Sequence, residues 1–183
     1  MVPVETLSGH LLLSNASLFD PNFRRTVVLI GHHDDEGAVG VVLNRPFEVR
    51  VGDAVPPLAG LVPEDELLFQ GGPVQPEAAV VVADFADPTK AGVIAFGTIG
   101  FLAEETDASD AGVLLRARVY AGYSGWGPGQ LESELEEEAW LVTPARSEDV
   151  FADDPDRLWG QVLERMGRGY ELMRTMPFDP SSN

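Results

Sequence analysis

Cysteine is absent from the 183-residue chain. That removes disulfides, thiolate nucleophiles, iron–sulfur clusters and zinc–thiolate sites. Cations are scarce as well: 12 Lys+Arg stand against 30 Asp+Glu, a formal net charge of −18. Lys90 is the sole lysine, and every other cation is an arginine. Nucleic-acid binding depends on cations that neutralise phosphates, so that class would need the few arginines gathered on one patch. Anionic membrane surfaces are disfavoured on the same ground. No apolar run approaches the roughly 18 residues of a membrane span. The first residues, Met1-Val2-Pro3-Val4-Glu5, have neither the basic nor the apolar segment of a secretory signal. The expectation is a soluble, cytoplasmic protein that binds neither nucleic acid nor membrane. Walker A, G-x-G-x-x-G and H-E-x-x-H patterns are also missing, which excludes the motif-bearing nucleotide-binding and metalloprotease classes.

What is present suits a globular domain. Hydrophobic residues make up 44% of the chain, and a chain of this length buries roughly 70% of its unfolded surface without a staple. A single domain over 1–183 is expected, with 177–183 a loose tail.

Strand signals dominate the first two thirds. Gly9–Ser14 holds the run Leu11-Leu12-Leu13, Thr26–His33 is β-branched and apolar, and Ala38–Leu43 resumes after the polar turn Asp34–Gly37. Leu18–Phe23 reads as a turn around Asp20-Pro21. Asn44-Arg45-Pro46 closes the third strand, and Val51–Leu58 reads as a short helix broken by Pro56-Pro57. Further strands are expected at Glu66–Gln70, Ala78–Phe85, bent pieces within Gly92–Leu102, and Ala139–Thr143. Val113–Tyr123 alternates, with Leu115, Ala117, Val119 and Ala121 opposite Arg116, Arg118 and Tyr120, and so predicts a half-buried strand. Pro128–Glu138 is helix-like, with Pro at the first helical position and Leu131 and Leu135 facing inward. Pro155–Met166 is amphipathic, and Tyr170–Met176 continues it after a glycine break. Without a regular βαβα alternation, the class is α+β.

Three segments stand out: Gly37-Ala38-Val39-Gly40 leading to Asn44-Arg45-Pro46, Gln70-Gly71-Gly72-Pro73-Val74, and Gly122-Tyr123-Ser124-Gly125-Trp126-Gly127-Pro128-Gly129-Gln130-Leu131-Glu132. With Gly9–Leu13, Asp20-Pro21-Asn22-Phe23 and Ala139-Trp140-Leu141, their order and spacing resemble the YqgE/AlgH family of bacterial proteins over roughly residues 9–167. The resemblance implies a mixed, partly closed, barrel-like sheet surrounded by helices. It implies no agreed activity, although one branch of the family carries a transcriptional-regulator label. His33 matches the family's position four residues before Gly37. Many members also carry a histidine in the strand after Gly-Gly-Pro-Val, where this chain reads Ala79-Val80-Val81-Val82-Ala83; a site that needed that imidazole does not apply here.

The same segments supply the candidate chemistry. Gly122–Trp126 falls one residue short of the G-x-S-x-G nucleophile elbow, because Trp126 stands where a glycine is required; Ser124 is not assigned as a nucleophile. Free N–H groups at the junction before the second helix could hold an anion, but Pro128 removes one donor and the glutamates from Glu132 to Glu138 oppose the charge. Arg45 reads either as a fork for a carboxylate or phosphate or as the partner of a nearby acid such as Glu132 or Glu134. His32-His33-Asp34-Asp35-Glu36 looks like a metal motif, yet neighbours on a strand point to opposite faces and only His10 remains as a third imidazole. No metal and no cofactor are expected, and the acidic clusters at 104–110, 132–138 and 148–156 read as solvated faces.

Three functional readings follow. The first is a non-catalytic binding or regulatory module for a protein or small-molecule partner, using Asn44, Arg45, Gln70, Gly71, Gly72, Tyr123, Trp126 and Gln130, with no catalytic residue. The second is an enzyme such as a hydrolase, with a site near Arg45, Gln70 or Tyr123 and His33. The third is direct DNA binding through Arg116 and Arg118, which the charge opposes.

Overall fold

The computed structural model describes residues 6–15 and 25–167. The turn expected over 18–23, the helical continuation over 170–176 and the tail at 177–183 lie outside the described residues. The strands are β1 (His10–Ser14), β2 (Val27–Asp34), β3 (Gly37–Val42), β4 (Pro46–Arg50), β5 (Leu67–Gln70), β6 (Val74–Phe85), β7 (Val93–Phe96), β8 (Ile99–Phe101), β9 (Leu114–Trp126) and β10 (Trp140–Pro144). The helices are α1 (Val51–Ala54), α2 (Gln130–Glu136), α3 (Ser147–Val150) and α4 (Leu158–Met166), with a 3-10 segment at Pro56–Leu61 among the connections.

The ten strands form one sheet in the order β10-β1-β2-β3-β9-β6-β8-β7. β4 pairs with β5, and β5 runs parallel to β9; the remaining ladders are antiparallel. The protein is therefore α+β with a mostly antiparallel, mixed sheet. The sheet is not closed. Closure would require a hydrogen-bonded pair between the end strands, and among the described residues β10 and β7 share none. The sheet does curl: Gly9, just before β1, sits so close to β7 that an added Cβ would collide with the Ala95 carbonyl. That contact is packing and not pairing.

Both faces of the sheet are covered, which explains the unbroken apolar runs. Leu11, Leu13, Val27 and Leu29 face a core with Phe69, Tyr120 and the C-terminal segments, where Val150, Phe151, Leu158, Trp159, Val162 and Leu163 pack. Leu12, Val28 and Ile30 point the other way, against Trp126, Leu131 and Trp140. Further along that sheet, Val81, Ala83, Phe85, Ala117 and Val119 pack with Val51 and Leu68.

Several local expectations are corrected. Pro46 opens a strand instead of closing one; its missing N–H is tolerated at a strand's first residue. The break expected at Pro56-Pro57 is present: the helix over Val51–Leu58 divides into α1 and the 3-10 segment at Pro56–Leu61, because proline cannot donate within a helix. α2 starts at Gln130 and not at Pro128, since Gly129 takes a left-handed conformation (φ 74°) before it. β9 extends three residues past Tyr123 and is not half-buried by alternation. Leu115 is 63% exposed, while Arg118 and Tyr120 are buried on the face expected to be polar.

The burial of Arg118 has a cause in α3. The carbonyls of Val150, Phe151 and Ala152 at its C-terminal end need donors. Arg118 supplies them, with Nη1 donating to Val150 O (3.3 Å) and Nη2 to Ala152 O (2.7 Å), while its Nε bonds Glu66 Oε1 (3.1 Å). Arg116 Nη2 donates to Phe151 O at 3.2 Å. The guanidinium of Arg118 also lies over the Phe69 ring, 4.9 Å from its centroid. At the helix's other end Asp149 accepts from the Arg146 N–H (2.9 Å) and takes both ends of the Arg165 fork (2.8 and 2.9 Å). Asp149, expected in a solvated cluster, is buried.

Candidate functional site

The distinctive segments converge on the C-terminal half of β9. Gly40 pairs with Ser124, Val39 with Gly125 and Ala38 with Trp126. Gln70 stands beside Ala121 in the parallel ladder, and Val74 pairs with Tyr123. Between these strands runs Gly71-Gly72. The Gly71 N–H donates to Ala121 O (2.9 Å), and its carbonyl accepts from Val42 N–H (2.9 Å) and Ser124 Oγ (3.1 Å). A Cβ on Gly71 would collide with the Gly122 carbonyl, and one on Gly72 with the Tyr123 carbonyl. The glycine pairs are thus backbone-to-backbone contacts that leave no room for side chains. Gly122 adds a positive φ of 73° within β9. The kink puts Tyr123 against the same core as Tyr120, three residues earlier, as a bulge does by breaking the two-residue alternation.

Each candidate residue takes a definite place. Asn44 brackets two strands: its Oδ1 accepts from Val27 N–H (3.0 Å) and its Nδ2 donates to Arg25 O (2.9 Å). Arg45 fixes Gln70 through the backbone, its carbonyl accepting from the Gln70 N–H (2.8 Å). The two side chains line a shallow notch of about 10 Å³ with Val42, Gly72 and Pro73, room for about one water. Ser124 is fully buried within β9, so the elbow geometry of an exposed nucleophile is absent. Tyr123 is half-buried against the core that holds Phe69 and Tyr120.

Trp126 and Gln130 belong to a second group, organised by Glu134. Its Oε1 accepts from the indole N–H of Trp126 (3.0 Å) and of Trp140 (2.8 Å), and its Oε2 from Gln130 Nε2 (2.9 Å). Gln130 Oε1 accepts from Gly127 N–H (3.0 Å) and so secures the turn before α2. The two indoles meet edge to face, with centroids 6.1 Å apart. Glu132, on the same helix, is held by His33. That imidazole is 2% exposed. Its Nδ1 accepts from Leu7 N–H (3.0 Å), which leaves Nε2–H to donate to Glu132 Oε1 (2.5 Å). The hydrogen bond from His33, followed by one from the residue's own backbone N–H, holds the Glu132 carboxyl below its ordinary range. His32 turns the other way, with Nε2 2.8 Å from Asp34 Oδ2, as strand geometry requires of neighbours. Tyr120 carries a buried hydroxyl without a hydrogen bond among the described residues, and burial pushes its phenol far above the ordinary value.

Sequence reasoning missed Glu66, Glu134 and the role of Arg118. The Gln130–Glu134 spacing of four on a helix is a legible signal for a side-chain pair. The two indole bonds, across eight and six residues, have no fixed spacing that a sequence would show.

The fold and these contacts define an α+β protein whose glycine-rich motifs form a backbone junction and whose polar motif residues largely brace neighbouring elements. The chain belongs to the AlgH-like family, whose model matches residues 11–171. It is 44% identical to the UPF0301 protein SCO2948 of Streptomyces coelicolor, over all of this chain and 98% of that one. It is 42% identical to a UPF0301 protein of Mycobacterium tuberculosis, over 96% of this chain and 90% of the relative. Among solved structures it is similar to protein DIP2367 of Corynebacterium diphtheriae, with a TM-score of 0.83, 27% identity, and 96% and 95% of the two chains covered. It also resembles the AlgH protein of Pseudomonas aeruginosa, with a TM-score of 0.71, 26% identity and 97% of both chains covered. Among the described residues no helix is long and apolar enough to cross a membrane.

Proposed function

We propose that this protein is a non-catalytic binding module of the bacterial cytoplasm that acts on a protein partner through the rim of the glycine junction. One observation carries the reading: the side chains that could do chemistry at the motifs are committed internally. His33 is spent on Leu7 and Glu132, Ser124 on Gly71, and Glu134 on two indoles and Gln130. The exposed side chains of the junction are Gln70 and Pro73, and the half-buried Arg45 lies next to them. A notch of about 10 Å³ is far below the roughly 300 Å³ of an enclosed small-ligand pocket, so it suits one protruding polar group on a partner's surface. A regulatory role would run through such a partner and not through DNA, because Arg116 and Arg118 are engaged with the α3 carbonyls.

The test places a photo-crosslinking residue at Gln70 and, as control, at Lys90, in the native host. A discrete protein crosslinked from position 70 only, and weakened by Arg45→Ala, supports the reading. Turnover of ester or peptide substrates that is lost in His33→Ala but retained by a well-folded Gln70→Ala variant would overturn it in favour of a hydrolase.

A further inference from the structure

A larger, apolar concavity lies elsewhere. It is a groove of about 460 Å³ between the β2–β3 hairpin and the β7–β8 hairpin, and it shares no lining residue with the Arg45 notch. Its construction begins at Gly31, where the β2–β3 register shifts. The missing side chain of Gly31 is filled by the ring of Phe101, so closely that an added Cβ would collide with it. This seats β8 on β2 and leaves His32 and Val39 on one wall and Val93 and Leu102 on the other. Val39 is 42% and Val93 41% exposed. Apolar side chains gathered at a concavity mark a surface that gains from being covered. The volume falls within the range of small-molecule sites.

The carboxylates at the groove favour a positive charge. Glu104 lines it, is exposed, and has no hydrogen bond or ion pair among the described residues. On the other wall His32 is tied to the Asp34 carboxylate, whose pKa is lowered by that bond first. The chain's net charge of −18 adds a long-range field that draws cations and repels anions.

We propose that this groove binds a small amphiphilic organic cation, an amine or ammonium group on an apolar body, with the body against Val39, Val93 and Phe101 and the charge toward Glu104 and Asp34. The site goes beyond the partner-binding junction and stands or falls independently of it.

The experiment titrates the full chain, labelled for NMR, with decyltrimethylammonium and with decyl sulfate, each below its micellar concentration. Their tails are equal and their charges opposite. Saturable shifts at Gly31, His32, Val39, Val93 and Phe101 are expected with the ammonium, and binding of the sulfate at least tenfold weaker. Glu104→Gln should weaken the ammonium by about threefold, the scale of an exposed ion pair, and Glu104→Lys should reverse the preference, while circular dichroism remains unchanged because Glu104 sits on an exposed loop. Val39→Ser should weaken both probes alike. Equal affinity for the two head groups would overturn the proposal, as would shifts confined to other surfaces or no saturation. A Leu–Lys peptide that fills the groove when the ammonium does not would also overturn it, in favour of a protein segment as occupant.

Discussion

The two halves of β9 join their neighbours by opposite means. The N-terminal half uses charge: Arg116 and Arg118 reach from the strand to the carbonyl end of α3, and Arg118 carries Glu66 with it. The C-terminal half uses the absence of side chains: Gly122 lies against Gly71-Gly72 at backbone distance. Where an element must be held at side-chain length, an arginine fork spans the gap and satisfies several acceptors. Where strands of different direction must interlock, any Cβ is in the way. The family's most recognisable residues fall on the second half, where their glycines serve as a joint.

The largest expected effect tests the joint. Gly72→Ala places a methyl group against the Tyr123 carbonyl and Ser124 N, both backbone atoms that cannot swing aside, at a φ of 155°. A loss of about 4 kcal/mol or more in urea unfolding is expected. A milder loss, below about 1 kcal/mol, would mean that the two halves of β9 differ less than their contacts indicate.

Next comes the charged half. Arg118→Met keeps much of the packing over Phe69 but removes the fork, leaving the Val150 and Ala152 carbonyls and the largely buried Glu66 carboxylate without their donor. Breaking such a pair from one side costs about 3 kcal/mol. Arg118→Lys should recover little of it, because an ammonium cannot span three acceptors in one plane. Full recovery by lysine would reduce the arginine's role to charge alone.

The unequal legibility of these halves in the sequence follows from the same physics. The apolar runs of β1, β2 and β3 and the amphipathic α4 announce themselves locally, so the α+β class and the main strands are readable. The convergence of Asn44-Arg45, Gly71-Gly72 and Gly122–Trp126 is readable only through family resemblance, since nothing in their composition says that glycine faces glycine. Arg118 was misread because alternation counts faces and presumes that a polar face is wet; α3, thirty residues later, covers it. The acids at 132–138 and 148–156 were misread in the same way. Glu132, Glu134 and Asp149 are fixtures, each held by donors that include a side chain from another element. Composition makes them look like solvent-facing charge, and only the tertiary contacts separate them from neighbours such as Glu136 and Glu137, which are exposed.

Glu134→Gln tests that separation. The variant keeps one acceptor oxygen for the two indoles but loses the charge, and its amide nitrogen faces Gln130 Nε2, donor against donor. A loss of about 1.5–3 kcal/mol is expected, the range for hydrogen bonds to a charged group, with a shift in tryptophan emission that Glu136→Gln does not produce. Identical behaviour of the two variants would return Glu134 to the solvated surface.

The smallest effect is the most selective, because it depends on pH. Glu132 accepts from His33 Nε2, and its pKa is lowered on folding. A group whose folded pKa is depressed contributes stability above its unfolded value and loses it as pH falls through the folded value. The stability gap between the native chain and Glu132→Gln should therefore be constant near neutral pH. It should narrow as the pH drops below about 4.5, the ordinary value for this carboxyl. Since the Glu132 side chain is 40% exposed, solvent screening keeps the gap small, and Glu136→Gln, on the same helix but without an imidazole partner, should show no such narrowing. A gap that persists unchanged to pH 3 would show that the His33 contact holds α2 by shape and not by charge. That would place this bond with the glycine joint and not with the arginine clamp.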